Sequence, residues 1–230
     1  RDDADAATIA IRAGVDMDMS SRSYQKFLGQ AVAAGTLPEV AVDRAVVSVL
    51  RAKGRLGLFN SPYTDETRAL SVTLTAEHRK LAREVARQAI VLLKNEQGTL
   101  PWGPAVKNVA VIGPLADNQH DMLGTWAGVG HDDDVITVLD GLKRASGDAA
   151  TVTHARGCDV LAEIAGGVDA AVATARAADA VLLVLGETEM MSGEGHSRAS
   201  IELPAPQLAL AQAVHATGKP ITVILMTGRP

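Results

Sequence analysis

Between Gly186 and Arg198 the chain gathers Glu187, Glu189, Glu194, His196 and Arg198 on a backbone rich in glycine and serine. Carboxyl groups placed across a bond from one another do general acid–base and nucleophilic work, provided that their surroundings separate their protonation states. A stretch this polar belongs on a surface loop and not in a core. From residue types alone it reads first as a solvated surface loop, so spacing by itself does not name a catalyst. His120, His131 and Asp132, Asp133 and Asp134 raise the chemistry of a cation site. Their spacing matches no regular ligand motif, so a solvated acidic turn is expected and no metal or cofactor is assigned. Asp2, Asp3 and Asp5 stand at a helix start, where acidic residues complement the macrodipole. Cys158 is the sole cysteine, which rules out an intrachain disulfide or a thiolate cluster; a small, partly buried side chain is expected there.

The Glu187–Arg198 stretch directly follows Ala180-Val181-Leu182-Leu183-Val184-Leu185, a continuous apolar run bounded by polar residues, as in a strand buried on both faces. Similar runs occur at 108–112, 151–154 and 221–226. Helical patterns over 134–146, 160–178 and 204–217 alternate with them. Alternation of this kind predicts an α/β fold with a mostly parallel sheet and helices on both faces, whose ligands sit at the carboxyl ends of the strands. The loops after Ile112, Leu185 and Met226 are therefore the places to search, and the second is the longest. Earlier in the chain, helices are expected over 4–13, stopped by Gly14, and over 23–34. A third follows Thr36-Leu37-Pro38-Glu39, a capping-box pattern with an early proline. Val15-Asp16-Met17-Asp18-Met19 alternates as a short strand does. Periodicity lapses over 61–74, which reads as a linker between a first domain, 1–60, and a second, 75–230, opening with a helix over 76–93.

Bulk properties narrow the classes further. The chain has 230 residues, 47% of them hydrophobic, enough for a substantial core. Its 22 basic and 27 acidic residues give a net charge of −5 without a basic run, which disfavours nucleic acid as a partner. No apolar run approaches the roughly 20 residues that span a bilayer, so no membrane role is expected. Both ends read as cut from a longer protein, and export and oligomeric state stay open.

Several strings, taken in order, carry a resemblance: Ala-Gly-Val-Asp-Met-Asp-Met (13–19), Leu-Gly-Leu-Phe (56–59), Ala-Arg-Gln-Ala-Ile-Val-Leu-Leu-Lys-Asn (86–95), Val-Ala-Val-Ile-Gly-Pro-Leu-Ala-Asp (109–117), Gly-Thr-Trp (124–126), Ser-Gly-Glu-Gly-His-Ser-Arg (192–198) and Leu-Met-Thr-Gly-Arg-Pro (225–230). Together they resemble family 3 glycoside hydrolases of the bacterial β-glucosidase type. The resemblance implies that 1–60 is the end of a (β/α)8-like barrel, and that 75–230 is most of an α/β sandwich domain. It further implies a retaining reaction on β-linked oligosaccharides or glucosides, in which an aspartate attacks the anomeric carbon and a glutamate protonates the leaving oxygen. Glu194 matches that glutamate, standing shortly before Ser197-Arg198 and a Leu-Pro pair, and Glu187 is the second choice. Trp126, Gly128, Ser192, Arg198 and Met19 are the substrate-binding candidates by the same resemblance. Trp126 has two readings, lining the sugar face or packing; Met19 and Asp18 border the pocket or serve structure; His196 tunes Glu194 or fills the loop. A periplasmic or secreted location is favoured, with the cytoplasm open.

Nothing in the chain matches the family's nucleophile segment, so the isolated polypeptide is expected to be inactive. Two alternatives stand beside this reading. A β-xylosidase of the same family differs at residues that lie mostly outside the chain. A noncatalytic flavodoxin-like module would need a phosphate-cradling glycine loop, which neither Gly113-Pro114 nor Gly186-Glu187 supplies.

Overall fold

The computed structural model describes residues 2–96 and 98–228. The chain divides into two compact units, Arg1–Ile90 and Val91–Pro230.

The described part of the first unit is helical. Helix α1 (Asp3–Ala13) starts at Asp2, whose side chain accepts from the Asp5 amide, and stops where Gly14 turns left-handed. Helices α2 (Ser23–Ala33) and α3 (Glu39–Arg55) pack on it through Ala7, Ile11, Leu28, Leu37 and Ala45, all buried. The acidic residues at the chain start thus serve the helix, as the macrodipole argument requires. Residues 15–19 form no strand. A strand needs a partner ladder, and no described segment pairs with them; Asp18 instead accepts from the amides of Ser20, Ser21 and Tyr24 and caps the turn into α2. The capping box at Thr36 does not form either: the Thr36 hydroxyl donates back to the Ala31 carbonyl, and Pro38, which has no capping side chain, is the residue before α3. The stretch 61–74 holds a short helix, α4 (Arg68–Val72). Helix α5 (Ala76–Ala89) is capped by the Thr75 hydroxyl, groups with the first unit, and stops before the Ile90-Val91 pair, four residues earlier than its apolar pattern suggests. Ile90 is already extended, consistent with the low helix preference of β-branched residues.

The second unit contains a four-stranded parallel sheet among the described residues, in the order β2-β1-β3-β4, from β1 (Asn108–Ile112), β2 (Thr151–Ala155), β3 (Ala180–Gly186) and β4 (Ile221–Met226). All four strands fall where their apolar runs predict. β3 is buried along its whole length because each face meets a separate core. On one face Ala110, Ile112, Val181, Leu183 and Leu185 meet α8 (Gly167–Ala177) through Ala171 and Ala175, and α9 (Ala205–His215) through Leu210 and Val214. On the other face Val109, Val111, Leu182 and Val184 meet Leu115, Ala116 and Leu139 of α7 (Val138–Ser146). The intervening α6 (His120–Leu123) is a single turn. Two helices are shorter than their sequence patterns. α7 begins where Thr137 caps the Asp140 amide, and α8 begins only after left-handed Gly166, because 158–163 is taken up by a bridge between Cys158 and Glu163. Cys158 is fully buried, not partly, and burial pushes its thiol up to about 11.

The chain leaves β1 toward β2 on one side and β3 lies on the other, so the sheet's switch point falls between the carboxyl ends of β1 and β3. Such a switch point is the usual ligand position in folds of this kind.

Candidate active site

The loop that holds the candidate glutamates leaves the sheet at Gly186, whose backbone is at φ 146. A β-carbon there would stand 2.0 Å from the Met226 carbonyl oxygen, so only glycine lets the end of β3 run this close to β4. The exit is fixed from behind by Gln207, a fully buried side chain of α9. Its Oε1 accepts from the Gly186 amide at 2.8 Å, while its Nε2 donates to the carbonyls of Gly186 at 2.8 Å and Val160 at 3.0 Å. The next amide, of Glu187, donates to the Met226 carbonyl at 2.8 Å.

From this anchor the loop places its two leading carboxylates in opposite circumstances. Glu187 is nearly buried, its side chain 6% exposed, and it pairs with the Arg198 guanidinium, whose other nitrogen donates to the Glu202 carbonyl at 2.8 Å. The pair ties the first residue of the loop to the last part of it. Glu194, in contrast, is exposed and has no side-chain hydrogen bond or ion pair among the described residues. One carboxylate is therefore committed to holding the loop, and the other is free to meet a ligand.

A second segment, 118–126, lies along this loop. Asp121 accepts from the Glu189 amide at 2.8 Å, and the Thr125 hydroxyl lies 2.8 Å from the Glu189 carbonyl oxygen and 2.6 Å from that of Ser192. His120 stands between two carboxylates, its Nδ1 3.2 Å from Asp132 and its Nε2 3.3 Å from Glu189. The hydrogen bond and charge of Asp132, then the charge of Glu189, raise its pKa above the ordinary histidine value. The histidine–aspartate group thus acts as a tether; no group of three or more potential metal-binding side chains forms among the described residues.

A cavity of about 510 Å³ opens at the carboxyl ends of β3 and β4, between these two segments. Trp126, Met122, Leu225 and Met226 supply its apolar walls, and Glu187, Glu189, Thr188 and Ser192 its polar ones. Trp126 is 73% exposed, which rules out a packing role within the described surroundings and leaves its face open at the cavity. Of the residues singled out from sequence, Glu187, Ser192 and Trp126 meet at this cavity. Gly128, Arg198 and Glu194 do not line it, and Met19, 91% exposed, belongs to the first unit. A separate hollow of about 420 Å³ lies at the ends of β1 and β2, lined by Asp117, His154 and Arg156 among others. Gln207, Asp121 and Thr125 escape a sequence reading. Gln207 sits in an apolar helix pattern as an isolated polar residue, the only signal it gives, and the other two look like ordinary loop residues.

Residues 90–230 match the model of the glycosyl hydrolase family 3 C-terminal domain. The chain belongs to glycosyl hydrolase family 3. Within the family it is similar to a periplasmic beta-glucosidase of Salmonella typhimurium, 39% identical over 100% of this chain and 33% of the relative. A beta-xylosidase of Formosa agariphila is 35% identical over 98% of this chain and 33% of that protein. Among solved structures, a beta-glucosidase from Listeria innocua in complex with glucose superposes with a TM-score of 0.89 at 35% identity, covering 100% of this chain and 31% of that one. The chain spans about a third of the length of the curated relatives it matches.

Proposed function

We propose that this chain is the portion of a retaining β-glucosidase that supplies the general acid/base, Glu194, for hydrolysis of terminal β-D-glucosyl residues from oligosaccharides or β-glucosides. The observation that carries the reading is the contrast between the two loop carboxylates. Glu187 is nearly buried and occupied by Arg198, whereas Glu194 is exposed, and unpaired among the described residues, on a loop anchored at the end of a buried strand. A group that must give a proton to the leaving oxygen and then take one from water needs that freedom; a carboxylate engaged by a guanidinium does not have it. The second carboxyl group, an aspartate about 5–5.5 Å away across the scissile bond in retaining enzymes, comes from a part of the protein outside these residues. Trp126 offers an apolar ring face beside polar groups, the combination that suits a pyranose with its C–H face and hydroxyl rim.

The relatives named beta-glucosidase favour glucose as the glycone, and those named beta-xylosidase keep a β-xyloside reading as the second choice. In the full-length protein, Glu194→Ala is expected to lower kcat/KM on unactivated glycosides by roughly 10²- to 10⁴-fold, the usual size of a general-acid contribution. Added azide then restores turnover of aryl glycosides with good leaving groups. Unchanged turnover removes Glu194 from this role. The 230-residue polypeptide by itself is expected not to cleave β-glucosides, and measurable cleavage by it refutes the assignment of the nucleophile to another part of the protein.

A further inference from the structure

Among the described residues the side chain of Glu194 has no hydrogen-bond or ion-pair partner, so its location is set by whatever holds the backbone just before it. β3 fixes the loop only as far as Glu187. Beyond that point Met191 packs on the core of the second unit and Arg198 ties back to Glu187, while the side-chain hydrogen bonds to the Glu189 and Ser192 backbone come from the 118–125 segment. Asp121 accepts from the Glu189 amide, and its own orientation is locked because its other oxygen accepts from Asn118 Nδ2 at 2.6 Å while its amide donates to Asn118 Oδ1 at 2.9 Å. The Thr125 hydroxyl reaches the carbonyls of Glu189 and Ser192, which lie at the two ends of the 3-10 turn Glu189–Met191. Its single proton, shared between two acceptors, closes that turn. Gly193, at φ 112, continues the contact: a β-carbon there would fall 2.7 Å from Thr125 Oγ1, so this residue lies directly against the threonine side chain.

We propose that Thr125 is a positioning residue for Glu194: its hydroxyl fixes the Glu189–Gly193 backbone and thereby aims the acid/base carboxyl at the leaving oxygen. The proposal rests on Glu194 being the acid/base. Removing the hydroxyl while keeping the shape, as in Thr125→Val, leaves the Ser192 carbonyl without its donor two residues before Glu194. Misplacing a catalytic group by about 1 Å can cost up to ~10²-fold in rate, and the loss falls on the step that uses the group.

The test uses the full-length protein and compares parent, Thr125→Val, Thr125→Ser and Glu194→Ala on phenyl and 2,4-dinitrophenyl β-glucosides. A phenolate needs a proton to leave, and a dinitrophenolate does not. Thr125→Val is expected to lower kcat/KM for the phenyl glucoside by about 10- to 100-fold and to change that for the dinitrophenyl glucoside by less than about threefold. Thr125→Ser, which keeps the hydroxyl, restores the phenyl rate. Equal losses on both substrates would show a structural role and overturn the proposal, as would no loss on either. Should Thr125→Val fail to fold, Gly193→Ala, which pushes the loop off Thr125, must give the same leaving-group dependence. The two ideas fail separately. If Glu194→Ala shows strong leaving-group dependence and neither Thr125→Val nor Gly193→Ala does, only the positioning role is lost; if Glu194→Ala shows none, the acid/base reading falls and this one with it.

Discussion

Replacing Gln207 by leucine tests whether the exit of the glutamate-bearing loop after β3 is held from inside the fold. The substitution nearly conserves volume but deletes three hydrogen bonds in a fully buried site: the acceptor for the Gly186 amide, and the donors to the carbonyls of Gly186 and Val160. The Gly186 N–H bears the main cost, since stranding a buried donor costs about 1–3 kcal/mol; each carbonyl loses one partner, worth about 0.5–1.5 kcal/mol. Allowing for relaxation, about 3 kcal/mol is expected for the set. That energy is local to the end of β3, so the appropriate assay is amide hydrogen exchange, read by mass spectrometry on the segment that spans 180–190. When reclosing is faster than exchange, the rate follows the opening equilibrium, and 3 kcal/mol corresponds to roughly a hundredfold faster exchange at Gly186 and Glu187. Strand β1, on the other side of β3, should change far less. Exchange at Gly186 within about threefold of the parent would refute the reasoning, because it would mean that the amide does not depend on Gln207 for protection. A uniform rise across all strands would refute it differently, by showing global loosening in place of a local release.

Other consequences concern titration and reactivity. The His120 pKa is raised, foremost by Asp132, so the linkage it makes between Asp132 and Glu189 is fully present at acid pH and is lost as pH rises through the raised value. Exchange of the 188–192 amides, corrected for its intrinsic pH dependence, should therefore increase over the neutral-to-alkaline range in the parent and stay flat in His120→Phe; matching profiles in the two proteins would exclude the tether. Cys158 is buried and its thiol is pushed up to about 11, so it should resist iodoacetamide at pH 8 in the folded protein and react once the protein is unfolded in guanidinium. Rapid alkylation of the native protein would contradict the described core.

Much of the second unit is legible in the residues. β1 and β3 are apolar runs because both faces of these inner parallel strands are buried, and β4, at the edge of the described sheet and partly exposed, is still mostly apolar; the pattern survives without knowledge of the neighbours. The glycine-rich, carboxylate-bearing stretch after Leu185 is likewise recognisable, since no core can absorb it. Where local pattern and structure part company, a competing contact explains the difference. Val15–Met19 alternates like a strand but has nothing to pair with, and Asp18 spends its oxygens on the turn into α2. The 160–178 pattern begins its helix late, because Cys158 and Glu163 are bridged and Gly166 turns left-handed.

What the sequence determined by itself is the class of fold, the order of its strands along the chain, and the short list of carboxylates able to do acid–base chemistry. It could not rank Glu194 against Glu187 by their surroundings, because a charge is committed or free according to which side chain stands beside it, and Arg198, eleven positions further along the chain, reaches back to Glu187. Nor could it single out Gln207, Asp121 or Thr125. Their importance arises from hydrogen bonds to backbone groups 21 to 68 residues away in the chain; Gln207 meets its partners only when α9 packs on β3, and Asp121 and Thr125 meet theirs only when the sheet order β2-β1-β3-β4 brings the loops after β1 and β3 side by side. Apolar periodicity is a property of each segment, whereas the pairing of polar groups is a property of the assembled fold.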